Sequence, residues 1–172
     1  MKLCKYLTQC LPLSGWLRKA ITDFKAAEDD PSVVVDMACY YYRSGETRVR
    51  LCLAGSMLHA AKMPVPGTPD QEFEDLYGDE IRVLSAVNHL RCGDILSACR
   101  SVADNHELET FPYHEIFKLR QLAELHDRDL RLRQQPRGAW VPFIDMPKYL
   151  RASPTWYAAI ERVHAKLVEL GV

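Results

Sequence analysis

The sequence lacks the short motifs by which many catalytic and metal sites are recognised. It contains no Cys-x-x-Cys pair, no His-Glu-x-x-His helix, no Gly-x-Gly-x-x-Gly turn and no Walker-type loop. Ser56 follows a predicted strand, as the serine of a nucleophile elbow does, but Ala54 and Leu58 occupy the places of the two glycines. These absences argue against a zinc site, a phosphate cradle and a serine hydrolase, and we expect no cofactor.

Long apolar runs and an excess of one charge are also missing. No stretch approaches the roughly 18 apolar residues that a membrane span needs, so we expect no membrane association. The net charge of -1 carries no global signature of a nucleic-acid-binding protein. Polar residues interrupt the apolar stretch at the N-terminus too early for an export signal. We therefore expect a cytoplasmic protein whose six cysteines are reduced.

The composition is that of an ordinary globular chain. Its 172 residues, of which 48% are hydrophobic, predict one domain over 1–172. The apolar spacing predicts a predominantly helical α+β fold, in which five or six helices pack around one β-hairpin at about 33–53.

The hairpin is predicted from β-branched and aromatic composition on both sides of a turn. Val33 to Tyr42 forms the first strand, 43–46 the turn, and Thr47 to Leu53 an alternating second strand. In this register Cys39 faces Arg50, which leaves Cys52 as its diagonal neighbour.

Helices are predicted where apolar residues recur at spacings of three and four residues and a capping residue precedes them. Ser14 is expected to cap a helix over 15–28, Asp79 one that ends near Arg91, and Asp94 one over 95–103. Ser153-Pro154 starts the last helix, which Gly171 ends. The longest helix is predicted from Tyr113 to about Gln134. Its expected apolar face is Ile116, Phe117, Leu119, Leu122, Ala123, Leu125 and Leu130.

Two further chemistries stay open as alternatives. The first is a small enzyme with a site near residues 52–59, where a strand leads into a helix and Cys52, Ser56 and His59 follow in close succession. The second is a nucleic-acid-binding regulator that uses the basic helix 118–137, which carries six basic and three acidic residues, with Arg128 and Arg131 among the basic ones.

Aromatic side chains suggest a binding surface instead. Tyr40, Tyr41 and Tyr42 cannot all point inward from one pleated strand. A proline-punctuated segment carries Trp140 and Phe143. Because tyrosine, tryptophan and arginine are enriched in binding hot spots, the candidate partner-binding residues are Tyr40, Tyr42, Arg128, Arg131, Trp140 and Phe143.

Three segments resemble a pattern in small accessory proteins of tailed phages. They are Val35-Asp36-Met37, the Cys-Leu-Ala-Gly run within 51–57, and a helix junction at Leu90-Arg91-Cys92-Gly93-Asp94, so the resemblance covers about 33–100. It carries no active site. It implies a phage product that acts in the bacterial cytoplasm by binding a host or phage protein. With the absent motifs, it leads us to expect a non-catalytic interaction protein, with a homodimer also possible.

Overall fold

The protein was analysed as a computed structural model, which describes residues 10–37, 41–44, 48–63, 81–103, 111–131 and 154–172. These residues form six helices and one small sheet, which confirms the predominantly helical α+β fold. The helices are α1 (Leu13–Glu28), α2 (Leu53–Ala60), α3 (Ile81–Leu90), α4 (Ile95–Ala103), α5 (Tyr113–Arg131) and α6 (Pro154–Leu170); the strands are β1 (Val33–Val35), β2 (Tyr41–Ser44) and β3 (Arg48–Leu51).

The sheet is a mixed three-stranded sheet, and the predicted hairpin is only part of it. The strand order is β1-β3-β2, with β3 parallel to β1 and antiparallel to β2. The predicted first strand is therefore two strands that both pair with β3. Val35 and Tyr41 flank Leu51 in the register, and all three are buried. Because β3 pairs along both of its edges, the three buried side chains line up in one row across the same face of the sheet.

The register of the antiparallel pair also differs from the prediction. Arg50 lies opposite Tyr42, and Ser44 lies opposite Arg48. Arg43 and Ser44 thus belong to β2 and not to the turn. Cys39, which was predicted to face Arg50, lies outside the described residues, as does the predicted cap Asp79.

The core is built by α1 and the elements that pack against it. The predicted stripe of α1 is buried throughout: Trp16, Leu17, Ala20, Ile21 and Phe24. α2 packs closely along α1, and the fully buried Ser56 hydroxyl lies 3.3 Å from the carbonyl oxygen of Ala20. From the other side, α6 brings the Trp156 ring to 5.3 Å from the Phe24 ring.

The junction between α3 and α4 follows the sequence signals closely. Gly93 has a φ of 85°, a conformation that favours glycine. Asp94 then caps α4 by accepting hydrogen bonds from the Ser97 N–H at 3.2 Å and the Ser97 hydroxyl at 2.8 Å. Gly171, with a φ of 71°, follows the end of α6 as predicted.

The beginning of α1 does not follow its signal. The helix begins at Leu13 after Pro12, and no side chain caps it from the N-cap position. Ser14 therefore lies inside the helix and is buried. Its N–H donates to the main-chain oxygen of Val172 at 3.1 Å, so a segment distant in sequence replaces the predicted local cap.

Candidate interaction surface

Helix α5 presents an aromatic side chain to solvent. Phe117 was predicted to belong to the apolar face of this helix, but 67% of its surface is exposed. Leu119 and Ala123, from the same predicted face, are buried. At about 100° per residue, position 117 lies about 160° around the helix from position 119, so the prediction for Phe117 is wrong.

The surroundings of Phe117 on α5 are polar. His114, Gln121 and Glu124 share its side of the helix at spacings of three, four and seven residues, and all three are exposed. Arg120 and Lys118 flank this row and are also exposed. We call Phe117 together with His114, Arg120, Gln121 and Glu124 the α5 face. On this face, polar side chains that include a cation and an anion surround one apolar ring.

The predicted arginines belong to the same helix. Arg128 and Arg131 fall within α5, although their side chains lie outside what the structure describes. Position 128 is eleven residues after Phe117, or about three turns, which puts the two backbone positions on one side of α5. Trp140 and Phe143 lie outside the described residues.

The tyrosines of β2 divide between the two faces of the sheet. Tyr41 is buried, and its hydroxyl donates to the carbonyl oxygen of Met63 at 3.0 Å. Tyr42 is half-buried on the opposite face, across from Arg50, which donates to the buried Asp36 carboxylate at 3.2 Å. Tyr40 lies outside the described residues. Tyr42 is therefore the member of this group with described access to solvent.

The region near residues 52–59 does not offer an accessible nucleophile from Cys52 or Ser56. Both side chains have no exposed surface. Burial raises the pKa of the Cys52 thiol, although it receives hydrogen bonds from the main chain of α2 and lies near the Arg91 guanidinium. The Ser56 hydroxyl donates to the carbonyl oxygen of Leu53 at 2.6 Å. A substrate could reach neither group in this structure.

His59 is half-buried, and unlike Cys52 and Ser56 its side chain has access to solvent and pairs with a carboxylate. Its Nε2 lies 3.2 Å from Asp30 Oδ2, and its ring packs edge-on against the buried Tyr41. Hydrogen bonds from Ser32, and then the one to His59, hold the pKa of Asp30 below its ordinary value. These contacts fix the end of α1 to α2.

Metal ligands do not gather in the described part of the chain: no three His, Cys, Asp or Glu side chains there lie close enough to hold an ion. The closely spaced His89 and Cys92 make a structural contact, in which the Cys92 thiol donates to the His89 carbonyl oxygen at 3.2 Å. Within the same described ranges, no helix is both long and apolar enough to cross a membrane.

Comparison with known proteins found no protein similar to this chain. The chain matches no protein-family model, no curated protein and no solved structure. The proposed function consequently depends on the surface and the sequence of this chain.

Proposed function

We propose that this protein binds a partner protein non-catalytically and modulates it, and that the α5 face is the binding surface. The observation that carries the proposal is Phe117, an aromatic ring with 67% of its surface in solvent. Aromatic side chains ringed by polar groups are the typical anchors of protein interfaces, because burying the ring releases water while the polar rim sets orientation.

The phage resemblance suggests what the partner is. A small accessory product of a phage would act on a host or phage protein in the bacterial cytoplasm. Arg120, exposed one turn after Phe117, and the arginine at position 128 add the residue type that most often accompanies aromatics in hot spots. We expect the partner to present an apolar pocket for Phe117 with acidic groups nearby.

The test uses three variants of the whole protein. Phe117→Ala should keep the fold, because its ring is mostly exposed, and should weaken binding to a stoichiometric partner purified from bacterial lysate at least about tenfold. Arg120→Ala should weaken it less and make the remaining affinity less sensitive to salt. Thr22→Ala, exposed on α1, is the control and should bind like the wild type.

Two results would overturn the proposal. One is a partner that Phe117→Ala binds with unchanged affinity. The other is salt-sensitive retention of nucleic acid in gel shifts with no stoichiometric protein partner, which would favour the basic-helix alternative. Self-association that Phe117→Ala abolishes would instead identify a second copy of the chain as the partner.

A further inference from the structure

Three segments of the chain meet at the first turn of α1. The Glu115 carboxylate of α5 accepts a hydrogen bond from the Leu13 N–H, and the main-chain oxygen of Val172 accepts one from the Ser14 N–H at 3.1 Å. Lys118 of α5 reaches the carbonyl oxygen of Gly171 at 3.4 Å. No N-cap side chain satisfies the first N–H groups of α1. Two segments about 100 or more residues away in the sequence accept their hydrogen bonds instead.

Glu115 contributes the buried carboxyl group of this junction. It is only 5% exposed, and its Oε2 has no hydrogen-bond partner among the described residues. Burying an ionised carboxylate oxygen without a hydrogen-bond donor costs free energy. A protonated carboxyl carries no net charge, so its burial costs less. The other oxygen can still accept from Leu13 in either form.

We propose that Glu115 is a proton-dependent latch, which holds α5 to the start of α1 more firmly when it is protonated than when it is ionised. The groups that act on the Glu115 carboxyl are the Leu13 N–H at the α1 helix terminus and two charged or titratable neighbours on α5, His114 and Lys118. Ser14 and Lys118 in turn contact the main-chain oxygens of Val172 and Gly171. The helix terminus, His114 and Lys118 favour the ionised form. Burial opposes it.

Burial affects the pKa of Glu115 more than these neighbouring groups do. It raises the pKa of Glu115 above its ordinary 4.5, although the charges of His114 and Lys118 and the Leu13 hydrogen bond lower it. A carboxyl whose pKa is higher in the folded state stabilises that state below the unfolded pKa. The contribution is lost as the pH rises through the folded pKa. The latch therefore loosens from mildly acidic towards neutral pH.

The first experiment follows the Leu13 amide by NMR while the wild-type protein is titrated from about pH 4 to about pH 8. We expect its proton shift to titrate with a midpoint above 4.5, because Glu115 is its acceptor. Glu115→Gln should remove that titration. An amide that does not titrate, or a midpoint at or below 4.5, would overturn the latch, and this measurement on the wild type stands even where the variant folds poorly.

The second experiment compares the unfolding of Glu115→Gln and wild type by urea over the same range. The amide keeps the size and the acceptor oxygen but cannot ionise. Its stability relative to wild type should therefore rise with pH, up to about tenfold in the unfolding constant for each pKa unit by which Glu115 is raised. Glu124→Gln, an exposed carboxyl on the same helix, is the matched control. A difference from wild type that is constant with pH would contradict the proposal.

Discussion

Cysteine reactivity in this protein is governed by burial at single residues. Cys10 is exposed, whereas Cys52 and Cys99 are buried. Burial, and then the nearby Asp94 carboxylate, raises the pKa of Cys99 from 9.0 to about 12, which lowers its thiolate fraction about 1,000-fold at neutral pH. We expect iodoacetamide to modify Cys10 in the native protein and to reach Cys52 and Cys99 only in denaturant, as read by peptide mass spectrometry.

A matched control for the labelling comes from the chain itself. Cys10→Ser should remove the rapid native modification of the peptide that contains position 10 and leave the slow labelling at Cys52 and Cys99 unchanged. Modification of Cys52 at the rate of Cys10 in the folded protein would contradict its burial. It would also revive the site proposed near residues 52–59, because that site needs a reagent to reach the sulfur.

At the scale of an element, α4 depends on its cap. Asp94 bonds both the N–H and the hydroxyl of Ser97, and it follows Gly93 in a turn with positive φ. Asp94→Ala should lower the free energy of unfolding by about 1 kcal/mol, because the first turn of α4 loses its acceptor. Urea denaturation followed by circular dichroism measures the change.

The conservative variant separates capping from charge. Asn is about as good an N-cap as Asp, so Asp94→Asn should retain most of the stability that Asp94→Ala loses. If the two variants lose the same amount, the carboxylate acts through its charge and not through the cap. Ser85→Ala, on the neighbouring helix α3, tests whether the 3.5 Å contact between the Ser85 and Ser101 hydroxyls contributes to the free energy of unfolding.

At the scale of the whole molecule, Trp156 joins the last helix to the rest of the core. Its ring is 1% exposed and packs on Phe24 of α1 and Tyr157, and its Nε1–H donates to the Arg91 carbonyl oxygen at 3.1 Å. Trp156→Ala should cost about 3 to 5 kcal/mol, because it leaves a cavity and an unpaired carbonyl between three elements. Equilibrium denaturation in urea tests this.

The exposed Val168 on the same helix provides the comparison. With 57% of its surface in solvent, Val168→Ala should change stability by no more than about 0.5 kcal/mol. If Trp156→Ala cost no more than Val168→Ala, α6 would not be part of the cooperative core. Trp156→Phe should fall between the two, because it keeps an aromatic ring but loses the indole N–H.

How far the candidate surface could be predicted differs from residue to residue. The sequence identified α5 as the long helix and placed Arg128 and Arg131 in it. The apolar composition of the helix predicts Phe117 on its apolar face, although the structure exposes this ring. The helical period carries the signal for the exposed position, because position 117 lies almost opposite position 119 around the helix. The sequence predicts that Tyr40, Tyr41 and Tyr42 cannot all point inward and offers Tyr40 and Tyr42 for partner binding. The structure buries Tyr41 and leaves Tyr42 half-buried, and Tyr40 lies outside the described residues.

The sequence by itself determined the features that depend on neighbours within about four residues. The buried stripe of α1, the Gly93–Asp94 junction and the end of α6 at Gly171 all follow from local spacing, caps and backbone freedom. Tertiary structure decided the rest. Which strands pair with β3, and which atoms bond the N–H groups of Leu13 and Ser14, depend on segments that are distant in the chain. Such contacts leave no local pattern, because each partner is selected by the packing of the whole fold and not by its neighbours in the sequence.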